Sequence, residues 1–87
     1  MSKVPESLLA EVRKLMADVF DLPADDLPPG STPDNTRGWD SLSHLALIAR
    51  LEGHYGISIS HDDAVTLLGE TEITDYIWSK SGSASNE

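Results

Sequence analysis

The sequence predicts an all-α domain made of three main helices and one short helix, with a long loop between the first and second helices. Apolar residues recur every three or four positions in separate segments, which is the spacing of one helix face. Capping residue types and glycines mark where those segments begin and end. Ile57 and Ile59 alternate with serines, but this pattern is too short for a strand, and we interpret it as a linker that buries both isoleucines.

The first helix is predicted between Val4 and Phe20. Pro5 suits the first turn, where a missing N–H is tolerated. The apolar positions with helical spacing are Leu8, Leu9, Val12, Leu15, Met16, Val19 and Phe20.

Residues 22–40 are predicted to form a long loop, because four prolines and Gly30 punctuate them. Loops of this length are uncommon in small domains unless they are functional or packed against the core. We expect Leu22 and Leu27 to anchor this loop.

The second helix is predicted to begin near Asp40 and Ser41, both good N-cap types, and to run to Tyr55 with Gly56 as its end. One face carries the expected core stripe: Leu47, Ile48, Leu51 and Tyr55. A second apolar stripe lies on nearly the opposite face: Leu42, Leu45, Ala46 and Ala49. Loop residues such as Leu27 or Trp39 could cover the second stripe. We favour the other interpretation, an exposed patch that docks a partner.

Ser60 resembles the cap of a short helix that continues through residues 64–68 and ends at Gly69. Thr71 is then predicted to cap the last helix, which carries Ile73, Tyr76, Ile77 and Trp78. We expect residues 1–79 to form one domain and residues 80–87 to form a disordered, Ser-rich tail.

Composition excludes several classes of function. The 87 residues carry a net charge of −9, which disfavours nucleic acid and anionic membranes and indicates basic protein partners. Cysteine is absent, so the chain has no disulfide and no thiolate nucleophile of its own. No apolar run of transmembrane length and no signal-peptide pattern is present, and we expect a cytoplasmic protein.

Gly38-Trp39-Asp40-Ser41-Leu42 follows a proline-rich loop and opens an amphipathic helix. This arrangement resembles the attachment motif of acyl and peptidyl carrier proteins. The similarity continues through the second helix and its linker to the last helix, and covers roughly residues 4–78. The resemblance implies a four-helix, acyl-carrier-like bundle.

In that family, the serine of Asp-Ser-Leu receives 4′-phosphopantetheine from coenzyme A through a phosphopantetheinyl transferase. The resemblance therefore implies that Ser41 is the attachment site, and that the thiol of the arm holds acyl groups as thioesters. A helix N-terminus suits the phosphate of such a phosphodiester.

The resemblance also implies a surface for partner enzymes, which would be acyl-loading, condensing or transferase enzymes. Asp40 and Leu42 match partner-contacting positions, and Trp39 could either pack in the loop or contact a partner. The remaining expected partner contacts are Leu45, Ala46, Ala49, Glu52, Asp62 and Asp63.

The chain departs from fatty-acid carriers, which are acidic at the positions of Ser43 and Ala46. We therefore expect a monomeric, non-enzymatic carrier of a specialised pathway, such as polyketide, nonribosomal peptide or secondary acyl metabolism. The competing interpretation is an acidic helical adaptor that is never modified.

A hydrolase using Ser41 and His44 is disfavoured because no nucleophile turn is visible, and we expect His44 to face solvent or a partner. A metal site at His61, Asp62 and Asp63 is disfavoured because no metal-binding pattern is present.

Overall fold

The computed structural model describes residues 4–82 and contains no strand among them. Its α-helices are α1 (Glu6–Phe20), α2 (Ser41–Tyr55), α3 (His61–Ala64) and α4 (Glu70–Ile77). A 3₁₀ turn, Ala24–Asp26, lies in the loop between α1 and α2, and a π-helical segment, Trp78–Gly82, follows α4. The all-α prediction with three main helices and one short helix is confirmed.

The ends of α1 and α2 follow local backbone chemistry. Pro5 stands at the N-cap of α1, and Asp21 ends that helix in the left-handed conformation, with φ 58°. Asp40 caps α2 by accepting a hydrogen bond from the Ser43 N–H. Gly56 ends α2 with φ 65°, a conformation that glycine adopts without strain. The predicted bounds of α2 are confirmed.

The core lies where α1 packs against both α2 and α4. Leu47, Ile48 and Leu51 of α2 are buried there, as predicted, and Tyr55 packs against them. Leu27 and Trp39 reach the core from the loop, and Leu22 packs at its edge. The loop is therefore folded onto the bundle.

A partly buried ion pair fixes the middle of this loop between α1 and α4. The Arg13 guanidinium pairs with the Glu70 carboxylate and donates hydrogen bonds to the carbonyls of Leu27, at 2.7 Å, and Pro28, at 3.2 Å. The other Glu70 carboxylate oxygen accepts the Gly30 N–H at 3.1 Å. Both charged groups are thus supplied with several partners, which buried ions require.

Two predicted helix boundaries are wrong. The short helix ends at Ala64 instead of continuing to Leu68, because the Thr66 and Leu67 N–H groups bond three residues back, in turns. Gly69, and not Thr71, occupies the N-cap of α4. The Glu70 N–H at this helix start donates to the Ser31 carbonyl at 2.9 Å, so the loop satisfies a group that a side-chain cap would otherwise serve.

The tail was expected at residues 80–87. The structure describes residues 80–82 of it, and these lie in the π-helical segment Trp78–Gly82. Residues 83–87 lie outside the described residues. Within residues 4–82, no helix is long and apolar enough to cross a membrane.

Candidate functional site

Ser41 is the first residue of α2, and its side chain is exposed. Within the described part of the chain, no group hydrogen-bonds to its hydroxyl. The preceding residue, Asp40, is also exposed and accepts the Ser43 N–H at 2.9 Å. This backbone hydrogen bond stabilises the carboxylate and holds the pKa of Asp40 below its usual value. The site therefore presents a hydroxyl next to a carboxylate that is fixed by the helix start.

The chain just before Ser41 is held in place by Gly38 and Trp39. Gly38 has φ 87°, and a Cβ added there would lie 2.9 Å from the Phe20 carbonyl oxygen. Trp39 is only 5% exposed and stacks on the Phe20 ring, with 5.0 Å between centroids. Of the two interpretations of Trp39, packing within the loop is the one that the structure supports. The start of α2 is thus anchored to the end of α1.

His44 is half-buried and is held within the fold, so it is not the solvated side chain that was one of the two expectations, whereas its contact with a partner stays a prediction. Its ring lies between the loop and α3: the Trp39 indole N–H donates to Nδ1 at 3.1 Å, and Nε2 lies 2.8 Å from the Ala64 carbonyl oxygen. Both ring nitrogens are therefore engaged within the fold, and neither is directed at Ser41. The arrangement contains no serine–histidine pair of the kind that activates a nucleophile.

The second apolar stripe of α2 is exposed. Leu42 is 79% exposed and Leu45 is 60% exposed, and Ala46 and Ala49 are exposed beside them. The alternative, in which the loop covers this stripe, is wrong because Trp39 points into the core instead. An apolar surface of this kind next to Ser41 is typical of a binding surface.

The sequence pattern does not predict that the Val65 and Leu68 side chains are exposed. They are 52% and 49% exposed, and they extend the apolar surface from α2 to the segment after α3. Both lie in the segment that the pattern predicts to be a short helix, and residue type alone does not distinguish them from the buried Ala64 and Leu67. Their neighbours Ala64 and Leu67 already supply the buried contacts of this segment.

A shallow groove separates α2 from this segment. Its volume is about 530 Å³. It is mainly apolar, and its lining includes Pro33, Trp39, Ser41, Leu45, Val65 and Leu68. Ser41 therefore stands at the rim of an apolar groove.

The acidic residues expected at the periphery differ in how they are held. Glu52 is half-buried and accepts the Ile59 N–H at 2.8 Å, so it supports the linker after α2. Asp63 accepts the Tyr76 hydroxyl at 2.8 Å. Desolvation together with this bond raises the pKa of Tyr76. Asp62 is exposed. Among the described residues, no group of three or more His, Asp or Glu side chains is arranged to hold a metal ion.

Comparison with known proteins supplies the family. The sequence profile described as "Phosphopantetheine attachment site" matches residues 10–69. Acyl carrier proteins of two Nitratidesulfovibrio vulgaris strains, DP4 and Hildenborough, are each 30% identical over 74 residues, which cover 85% of this chain and 97% of the relative. The prosthetic group of the matched family is covalently attached 4′-phosphopantetheine. The chain therefore belongs to the acyl carrier protein family, whose defining domain carries a phosphopantetheine attachment site.

Proposed function

We propose that Ser41 is the residue that bears 4′-phosphopantetheine. The observation that carries this proposal is the position of its exposed hydroxyl at the first residue of α2, in Asp40-Ser41-Leu42, within the matched part of the chain. Ser43, two residues later, is only half-exposed, and its backbone N–H is bound to the Asp40 carboxylate. Of the two serines in this segment, Ser41 is the accessible one.

The residues around Ser41 fit a phosphodiester. Ser41 opens a helix of 15 residues, so its oxygen lies at the positive end of the helix dipole, which favours an attached phosphate. When bound, the prosthetic group supplies a thiol, which holds an acyl group as a thioester. The chain itself has no cysteine and so contributes no competing thiol.

The apolar stripe of α2 is our proposed docking surface for partner enzymes. It comprises Leu42, Leu45, Ala46 and Ala49, with Asp40 at its end. Val65 and Leu68 extend it across the groove. The acidic side chains of Glu52, Asp62 and Asp63 supply a rim that attracts basic partners. The phosphopantetheinyl transferase and acyl-loading, condensing or transferase enzymes are the partners we expect here.

The pathway that this carrier serves is the next part of our proposal. We propose that residues 1–79 form the carrier domain of a monomeric, non-enzymatic, cytoplasmic protein serving a polyketide, nonribosomal peptide or other secondary acyl pathway. What supports the pathway class is the neutral surface of α2, where Ser43 and Ala46 stand at positions that are acidic in fatty-acid carriers. Docking would then depend more on apolar fit than on local charge pairs.

The experiment that tests the proposal is incubation with coenzyme A and a broad-specificity phosphopantetheinyl transferase, followed by intact-mass measurement. We expect the mass to rise by one phosphopantetheine group, and we expect Ser41→Ala to abolish the gain. Ser43→Ala is the matched control, since it removes a neighbouring hydroxyl and should still be modified. An unchanged wild-type mass with an active transferase would support an unmodified helical adaptor instead.

A further inference from the structure

The segment that leads into Ser41 is held by the side chain of Trp39, which is only 5% exposed. This side chain stacks on Phe20 at the end of α1, with 5.0 Å between the ring centroids. It also contacts His44, whose Nδ1 lies 3.1 Å from the indole Nε1. Since Trp39 is two residues before Ser41, these contacts hold the backbone where it enters α2.

His44 makes its contact with Trp39 in one tautomer only. An indole N–H can only donate a hydrogen bond, so the His44 Nδ1 must accept it. The neutral ring then carries its proton on Nε2, which donates to the Ala64 carbonyl oxygen at 2.8 Å. The ring thereby joins the loop and the end of α3 through two hydrogen bonds whose donors and acceptors are fixed.

This arrangement requires a neutral imidazole. A protonated imidazole has an N–H on both nitrogens, so its Nδ1 and the indole N–H of Trp39 would be two donors that face each other. Histidine is the side chain that changes charge between about pH 5 and pH 8. Acid therefore weakens the contact with Trp39, whereas the contact with Ala64, in which Nε2 is already the donor, is retained.

Two other titratable side chains line the groove beside this imidazole, Asp40 from the start of α2 and His61 from α3. The lowered pKa of Asp40 keeps its carboxylate ionised where histidines titrate. His61 is exposed, and Asp63 of α3 is bound to a hydroxyl on α4. The loop residues that line the groove do not titrate. His61 is therefore the neighbour whose titration the experiment must separate from that of the ring.

We propose that His44 is a positioning residue for the modification of Ser41, and that it holds Trp39 in place only while its ring is neutral. This role rests on the proposed attachment at Ser41. Release of Trp39 lowers the fraction of molecules in which the segment before Ser41 is ordered for the transferase, and the apparent affinity falls with that fraction. Modification should therefore decline on acidification through a side chain whose ring nitrogens bind Trp39 and Ala64.

The first measurement follows the indole N–H signals of the unmodified chain by ¹⁵N NMR from about pH 8 to about pH 5. Trp78 is the second tryptophan of the chain and provides the internal reference. We expect the Trp39 signal to shift, and to exchange faster with water, as the His44 ring titrates. We expect the Trp78 signal to stay unchanged. A Trp39 signal that does not follow the His44 titration would overturn the inference.

The second measurement compares kcat/KM for modification of the wild type and of variants by one transferase across this pH range. The pH dependence of the transferase itself cancels in the ratio of two substrates at one pH. His44→Asn places an amide oxygen near the position of Nδ1, so it accepts the indole N–H without titrating. Relative to this variant, we expect the wild-type value to fall about twofold to tenfold on acidification, the change that corresponds to one hydrogen bond.

Trp39→Phe tests the same contact from the other side. It keeps an aromatic ring beside Phe20 and removes the donor that a protonated His44 would oppose, so its pH profile should also be flatter than that of the wild type. His54→Gln and His61→Gln remove the other two histidines of the chain and should keep the wild-type profile. Circular dichroism first shows that each variant folds. If His44→Asn does not fold, Trp39→Phe and the NMR titration decide.

The outcomes separate the positioning role from the attachment site. Equal pH profiles for the wild type, His44→Asn and Trp39→Phe would overturn the inference and leave attachment at Ser41 intact. A profile that becomes flat in His61→Gln would assign the pH dependence to His61, which also overturns it. The absence of a mass gain at every pH would overturn the proposed function and the positioning role together.

Discussion

Asp40 and Gly38 determine how Ser41 is presented, although neither is expected to react. The Asp40 carboxylate accepts the Ser43 N–H and so fixes the first turn of α2. The glycine two residues earlier allows the backbone to pass close to the Phe20 carbonyl. The sequence predicted that the helix begins near Asp40 and Ser41, both good cap types, and the structure assigns the cap to Asp40. It did not predict the role of Gly38, because a positive φ beside a distant carbonyl depends on tertiary packing.

The cap at Asp40 should make stability depend on pH. The folded-state pKa of Asp40 is lowered, so its stabilising effect is present above the ordinary value of 3.8 and is lost as the pH falls through the folded value. Asn is also a good N-cap but does not titrate. We therefore expect Asp40→Asn to be less stable than the wild type at pH 7 and to approach it in stability as the pH falls below 3.8 and through the lower folded-state pKa.

Urea unfolding at several pH values measures this difference. Asp34→Asn, which removes an exposed carboxylate from the loop, is the control for the general loss of negative charge. A wild type and an Asp40→Asn variant that lose stability in parallel would refute the role of the cap.

Gly38→Ala should destabilise the fold, because the added Cβ would lie 2.9 Å from the Phe20 carbonyl oxygen at a positive φ. We expect a loss of about 1–3 kcal/mol in the free energy of unfolding. Gly53→Ala is the matched control, since Gly53 lies within α2 and nothing lies within 4 Å of its added Cβ. There we expect a gain of about 0.5–1 kcal/mol. Chemical denaturation distinguishes the two, and equal effects would contradict the close approach.

Among the helices, sequence periodicity predicts the extent of the long α1 and α2 but not the extent of the short α3. α1 and α2 each have 15 residues, so the apolar repeat and the caps act together. α3 has only four residues, and the turn bonds that end it depend on the loop around it. The start of α4 was mispredicted for a related reason. Its first N–H is bound by Ser31, a residue far away in sequence.

The Arg13–Glu70 pair connects the elements and should be a large contributor to stability. The side chains are 24% and 8% exposed, and removing one partner leaves the other charge partly buried without its counter-ion. We expect Arg13→Ala to lower the free energy of unfolding by about 3 kcal/mol. Arg37→Ala is the matched control. The Arg37 side chain is 81% exposed and pairs with Asp26 only at the long distance of 3.9 Å. This variant should change stability by less than about 1 kcal/mol. Similar losses in urea unfolding for both variants would contradict this account.

At the scale of the whole molecule, the exposed apolar surface and the net charge of −9 serve different purposes. The acidic charge attracts basic partners over a distance, whereas affinity at the docking surface depends on apolar contact. The two faces of α2 were predictable, because helical geometry assigns each residue to a side. The groove was not predictable, because it requires the placement of Val65, Leu68 and the Trp39 ring relative to α2.

Leu45→Glu tests the docking surface. Leu45 is 60% exposed, so the variant should fold normally while losing an apolar contact to the transferase. Loss of a buried leucine costs about 1.5–3 kcal/mol, which corresponds to roughly a tenfold to hundredfold lower kcat/KM for modification. Ala10→Glu adds the same charge on an exposed position of α1 and should be modified normally. Unfolding of Leu45→Glu, seen by circular dichroism, would place Leu45 in the core.

Attachment at Ser41 is tested by locating the phosphopantetheine group in the modified wild-type chain. Trypsin releases residues 38–50 as one peptide that contains Ser41 and Ser43, separated by Leu42. Fragment masses on either side of Leu42 therefore identify which serine is modified. We predict that the added mass lies on Ser41. Added mass on Ser43, or at any other residue, would contradict the account.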